Sequence, residues 1–206
     1  MKTQIITLFT ALALSAGIAK TTYAAVPAKG ENVTVLTGIS AINKIEVRGN
    51  VELYISDGET DQVKVYNKYY GESALVQNKN GVLRIASYKA EKLVVWIKAA
   101  DLRSVSAFDN AEVKSFGDLS KIEFEVDLHN NASAKLSLDA YSASVIVNDE
   151  AKASLSGKAD QYDLKYSNAE NVDEKDFEAV HASKTQKVTA AVTKVKRSEL
   201  DDLAEL

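Results

Sequence analysis

The sequence predicts an all-β fold, a solenoid of short strands stacked with a coil period near 20 residues. Two observations predict it. From Ile42 onward apolar and polar residues alternate with period two in short runs, the pattern of strands that bury one face. From Asp101 onward a polar corner followed by alanine recurs: Phe108-Asp109-Asn110-Ala111, His129-Asn130-Asn131-Ala132, Asn148-Asp149-Glu150-Ala151 and Tyr166-Ser167-Asn168-Ala169, with the alanines 21, 19 and 18 residues apart. Repeats of this length, flanked by alternating runs, describe coils that cannot bury an inner face singly and make a core by stacking.

An antiparallel β-sandwich uses the same short strands. Corner residues that recur in register favour the solenoid, and so does the absence of glycine from Asp118 to Ser156. Hairpins prefer Asn-Gly or Asp-Gly turns. Stacked corners accept asparagine, which tolerates a left-handed backbone and can hydrogen-bond to its counterpart in the next coil.

Taken in order, residues 1–24 have the form of a signal peptide. Lys2 is the positive start, Ile5 to Ala19 the apolar stretch, and Thr22-Tyr23-Ala24 the small-residue cleavage site. The apolar run is shorter than the ~20 residues of a comfortable membrane span. No transmembrane segment is expected after cleavage, which leaves an acidic, exported chain. Residues 25–38, with the sole proline Pro27, read as a linker. The solenoid is expected over residues 39–193. It begins with Ile45-Glu46-Val47, Val51 to Ile55, Val63 to Tyr66 and Val82 to Ile85, separated by Gly49-Asn50, Asp57-Gly58 and Asn80-Gly81. Leu93-Val94-Val95-Trp96-Ile97 does not alternate and reads as a strand covered on both faces. After Asn171 the pattern decays. Val188 to Val195 offers a last strand, and residues 194–206 a polar tail or short capping helix.

Composition removes whole classes of function. The 206 residues hold no cysteine and two histidines, with 25 basic side chains against 29 acidic ones. Disulfides, thiolate nucleophiles, Cys-ligated metals and a multi-histidine centre are therefore excluded, and no basic face for nucleic acid is visible. No metal or cofactor is expected. An exported chain without cysteine suits a bacterial envelope protein stabilised by packing.

The run Ile45-Glu46-Val47-Arg48-Gly49-Asn50-Val51-Glu52-Leu53-Tyr54-Ile55, then Asp57-Gly58 and Val63-Lys64-Val65, resembles the opening of the DUF2807 family of auto-transporter adhesins, the head GIN domain. Gly81-Val82-Leu83-Arg84-Ile85 and the small polar corners fit as well, so the likeness spans roughly Ile39 to Val180. The resemblance implies a right-handed β-helix-like solenoid, a Bacteroidetes-type exported protein, an adhesin role and no catalytic residues. Here Asp109-Asn110, Asn130-Asn131 and Ser167-Asn168 stand at corners where the family usually has glycine and serine.

Two groups of side chains are candidates for function. Tyr66, Tyr69, Tyr70 and Tyr88, with Trp96, could stack on sugar rings; alternatively Trp96 is core and the tyrosines edge the sheet. The column Asn110, Asn131, Asp149 and Asn168 reads as a structural corner ladder. A calcium site would need ~6–8 oxygens converging on one point, whereas stacked coils lie ~4.8 Å apart. Glu123, Glu125 and Asp127 alternate with apolar residues and read as a solvated face rather than a glycosidase pair. The arginines Arg48, Arg84, Arg103 and Arg197 are scattered, and His129 reads as an exposed turn residue. The sequence thus points to a non-enzymatic binding or adhesin-like module recognising surface glycan or envelope protein. It would sit in the periplasm or at the cell surface of a Gram-negative bacterium. The alternatives are a polysaccharide-acting β-helix enzyme and a periplasmic scaffold that self-associates weakly through its solenoid ends.

Overall fold

The computed structural model describes residues 33–39, 41–66 and 74–187. Their strands are, in chain order, β1 (Val33–Leu36), β2 (Lys44–Gly49), β3 (Val51–Asp57), β4 (Gln62–Tyr66), β5 (Ala74–Lys79), β6 (Val82–Ser87), β7 (Leu93–Ala99), β8 (Ser104–Phe108), β9 (Glu112–Leu128), β10 (Ser133–Val147), β11 (Lys152–Tyr166) and β12 (Val172–Gln186). A 3-10 turn at Ala169–Asn171 precedes β12. The fold is all-β: one strongly curled, open sheet in the form of a half-barrel.

Strand β9 organises the topology. Its first residues pair in parallel with β3 (Glu52↔Glu112 to Ile55↔Ser115), its last with β8 (Ser104↔Glu125 to Ala107↔Leu128), and β10 covers both parts. Two arms therefore leave β9, one ordered β3-β7-β4-β1 and the other β8-β2-β6-β5. From β9 to β12 the chain simply steps, each strand lying parallel to the last with partners 19 to 21 residues apart. That regular step begins with β8, where Ser104 pairs with Glu125, and is otherwise confined to the second half. In the first, β2 lies between β6 and β8, β3 lies between β7 and β9, and β1, β4 and β5 join antiparallel.

Alternation builds the core. Ile45 and Val47, Leu53 and Ile55, Leu83 and Ile85, and Phe124, Val126 and Leu128 are all at most 1% exposed and belong to one apolar cluster. Their even-spaced neighbours face outward, as the two-residue period of a strand requires. The same rule corrects the reading of β7. Leu93, Val95 and Ile97 are buried, but Val94 and Trp96 lie on the outer, half-buried face. The run lacks alternation because aromatic neighbours partly cover that outer face. Val33–Leu36, within the expected linker, is instead strand β1, paired antiparallel with β4 from Val33↔Tyr66 to Leu36↔Val63.

The corners explain the repeated motif, displaced by one residue from the expected column. The left-handed positions are Asp109, Asn130 and Asp149, with φ of 62°, 58° and 56°. The main-chain N–H of Asp109 donates to Asn130 Oδ1 (3.2 Å), and that of Asn130 to Asp149 Oδ2 (3.0 Å), so each corner is tied to the next. Ala111, Ala132 and Ala151 are fully buried, and each donates its N–H to the carbonyl three residues earlier, on Phe108, His129 and Asn148. An alanine methyl fits where the turned chain comes back against the core. Asn110 and Asn131 carry none of the side-chain bonds between corners. Asn168 has an extended backbone, and its side chain accepts the Glu170 N–H (3.1 Å) to cap the 3-10 turn. Only Asp149 of the expected column belongs to the ladder.

Glycine is required at another corner. Gly49 has φ +80°, and a Cβ there would stand 2.1 Å from the Ser87 carbonyl oxygen. On β12, the last described strand, Lys184 stands in register with Leu164 and forms an ion pair with Glu174. A charged pair thus occupies a level where the preceding strand carries leucine. Phe177 packs edge-on against Tyr162 at 4.9 Å. Burial, followed by the Glu174 charge, raises the Tyr162 hydroxyl above its ordinary pKa. The expected signal peptide, last strand and capping tail lie outside the described residues.

Candidate binding surface

The outer face of one arm carries an aromatic strip. Period two places Leu53 and Ile55 inward and Tyr54 outward on β3, while the register of β4, β7, β3 and β9 aligns Lys64, Trp96, Tyr54 and Lys114 across the sheet. Tyr54 and Trp96 stack with centroids 4.6 Å apart and planes 19° apart. Phe116 (5.2 Å, 57°) and Tyr66 (6.4 Å, 58°) lean against the same indole. Phe116 is 64% exposed. Four rings so placed form a ridge of fixed apolar surface with accessible faces.

A charged row runs beside the ridge. Tyr54 donates its hydroxyl to Glu52 Oε1 (2.8 Å), and Lys114 Nζ donates to the same oxygen (2.5 Å). Lys114 also reaches Glu112 (3.1 Å), which pairs with Lys92 (2.5 Å). The ammonium of Lys114 lies 5.7 Å from the Tyr54 ring centroid. The hydrogen bond from Lys114 holds the Glu52 carboxyl below its ordinary pKa, and that from Lys92 does the same for Glu112. The bond to Glu52 raises both Tyr54 and Lys114. A general acid in glycoside hydrolysis needs a carboxyl held protonated, with a raised pKa. Both carboxylates beside the ridge are shifted the other way.

Of the tyrosines singled out in the sequence, Tyr66 joins this ridge. Tyr88 does not: it lies at the corner between β6 and β7, 72% exposed, with its hydroxyl donating to Asp109 Oδ2 (3.0 Å). Tyr69 and Tyr70 lie outside the described residues. The sequence reading missed Tyr54 and Phe116. Tyr54 had a visible signal, an outward position in an alternating run opposite Leu53 and Ile55. His129 is more than an exposed turn residue. It stacks on Phe108 (4.8 Å, 8°), with Nε2 3.0 Å from Asp127 Oδ1. Glu123 and Glu125 are exposed, as a solvated face should be. Among the described residues no three His, Asp or Glu side chains converge as a metal-binding set. None of the described helices is long and apolar enough to cross a membrane.

Comparison with known proteins adds family and fold. A family model described as "Putative auto-transporter adhesin, head GIN domain" (DUF2807) matches residues 41–199. No curated protein matches the sequence. Among solved structures, a protein described as a putative adhesin from Bacteroides fragilis superposes with a TM-score of 0.67 at 14% identity, covering 78% of each chain. A putative adhesin from Parabacteroides distasonis gives 0.56 at 18% identity over 76% of this chain and 78% of its own. A putative lipid binding protein from the same species gives 0.53 at 10% identity over 77% and 79%. At such identities the likeness is one of fold.

Proposed function

The chain belongs to the DUF2807 family, and we propose that it is an exported, non-enzymatic binding module of the adhesin type, recognising glycan at the bacterial envelope through its outer sheet face. The observation that carries this reading is the ridge of Tyr66, Trp96, Tyr54 and Phe116. Its rings are ordered by mutual contact before any ligand arrives, so binding loses little side-chain entropy. Aromatic faces suit the apolar faces of sugar rings, and the adjacent Glu52–Lys114–Glu112–Lys92 row offers donors and acceptors to hydroxyls. The lowered carboxyl pKa values of Glu52 and Glu112 support binding over hydrolysis.

The parallel step of 19 to 21 residues from β9 to β12, with left-handed corners at Asp109, Asn130 and Asp149, supports reading the second half as coils of a right-handed β-helical solenoid. In this reading residues 1–24 are a signal peptide, and the mature protein resides in the periplasm or on the cell surface. The test is a glycan and envelope-protein array probed with the purified chain and with Trp96→Ala. The proposal expects a defined set of glycans bound by the wild type and lost with Trp96. Binding that survives Trp96→Ala unchanged would remove the ridge from the account. A tagged chain on intact cells, exposed to a non-permeant protease beside a periplasmic control, separates surface from periplasm.

A further inference from the structure

Away from the ridge, one arginine among the described residues stands without a protein acceptor. Arg84 pairs with Glu46 (2.9 Å) and Arg103 with Asp101 (2.7 Å). Among the described residues Arg48 forms no ion pair or hydrogen bond; its guanidinium carbon lies 3.7 Å from the centroid of the Phe108 ring. Phe108 stacks in turn on His129, and His129 is held by Asp127 and Asn148. Guanidinium, phenyl and imidazole therefore form one column along the corner, which fixes the arginine while leaving its N–H edges free.

The next places in the column are small and then apolar. Ala86 is in register with Arg48, and Leu75 with Ala86. On the side of Arg48 opposite Phe108 the neighbouring strand therefore carries only a methyl in register. Tyr88 crosses the same corner. Its Cδ1 would lie 3.1 Å from a Cβ on Gly49, and its hydroxyl is tied to Asp109. The ring is thus tied by its hydroxyl and lies beside Gly49, yet Tyr88 is 72% exposed. The nearby carboxylates are already engaged, Asp109 by Tyr88 and Asp127 by His129 and Asn148.

We propose that Arg48 and Tyr88 form a second subsite, selective for a sugar acid. The sugar carboxylate would take two parallel N–H bonds from Arg48, the geometry for which a guanidinium is suited and an ammonium is not. The pyranose face would lie on the fixed Tyr88 ring. This rests on the outer surface being a glycan-binding surface, but it uses none of the ridge residues. An uncharged sugar offers Arg48 no anion and gains only the Tyr88 contact.

The experiment is calorimetric titration of the purified chain with trigalacturonate, with neutral galactotriose, and with a short poly-glutamate peptide of equal charge. Trigalacturonate is expected to bind more tightly than either control. Arg48→Met should weaken it roughly tenfold or more, the loss typical of a charge-assisted hydrogen-bonded pair, and Arg48→Lys should fall between. Circular dichroism confirms that these exposed substitutions leave the fold intact. Equal affinity of wild type and Arg48→Met for trigalacturonate would overturn the subsite, as would the absence of any preference over galactotriose. Equal, Arg48-dependent binding of the peptide would overturn the sugar assignment. Failure of the ridge reading has a different signature: Trp96→Ala would leave neutral-glycan binding unchanged while the Arg48 effect persists.

Discussion

The two halves of the sheet make their corners by different means. From β9 to β12 the chain steps by a near-constant interval, and Asp109, Asn130 and Asp149 turn it with one device: a left-handed residue with a buried alanine behind, the first two each donating an N–H to the next corner. In β1 to β8 each connection is made separately, by Gly49 under Ser87, by the antiparallel Asn80-Gly81 hairpin, and by strands inserted out of chain order. The aromatic ridge is built mainly on that irregular half, with Phe116 contributed by the first part of β9. A repeat constrains every level to similar side chains. Freedom from it allows one row to be specialised, while the regularly stepped strands extend the common core.

The largest expected effect tests whether the halves fold together. Phe124, fully buried on β9, touches the core both arms share, and Phe124→Ala should cost about 4 kcal/mol. Trp96 is the sole tryptophan and reports on the first half. Urea transitions followed by its fluorescence and by far-ultraviolet circular dichroism should move together. Two separated transitions would show that the halves are independent.

Next in size is the individually made corner. Gly49→Ala places a methyl against the Ser87 carbonyl at a positive φ, and should lose about 3 kcal/mol in the same denaturation measurement. A loss below 1 kcal/mol would mean that this corner relaxes freely. On the repeating side, Asn130→Ala removes both the left-handed preference and the bond from Asp109, for an expected cost of about 2 kcal/mol. Its neighbour Asn131→Ala should stay within ~0.5 kcal/mol, because no ladder bond is its own. Equal effects at the two positions would dissolve the distinction between them.

The smallest effect concerns acid. Glu52 and Glu112 have folded-state pKa values below the ordinary 4.5, so their contribution is complete above that value and is lost as pH falls through the lowered folded values. Half-exposed pairs of this kind contribute under ~1 kcal/mol. Lys114→Met should flatten the decline in stability below pH 4.5, read from urea midpoints at stepped pH. An unchanged slope would take Lys114 out of the network.

Much of this was legible in the sequence because alternation and recurrence are local. Ile45 to Ile55 declared its buried face outright, and the alanine motif located the corners to within one residue. That last residue was not legible: in Asp109-Asn110 and Asn130-Asn131 both members tolerate a left-handed backbone, and only the folded chain decides which adopts it. Trp96 was misplaced because an unalternating apolar run does not tell core on both sides from an outer face sheltered by other rings. Tyr54 and Phe116 come together with Trp96 only through the parallel pairing of β3 with both β7 and β9, and nothing local in β3 records that insertion. Strand β1 escaped notice because four residues between polar segments carry too little pattern.

The glycan-binding role of the outer face depends most directly on whether ligand meets Trp96. With a glycan selected from the array, the emission of this single tryptophan should shift to shorter wavelength on titration, and acrylamide quenching should fall in proportion to occupancy. Saturation by calorimetry with unaltered emission and unaltered quenching would contradict it, because a sugar stacked on the ridge cannot leave the indole's surroundings as they were.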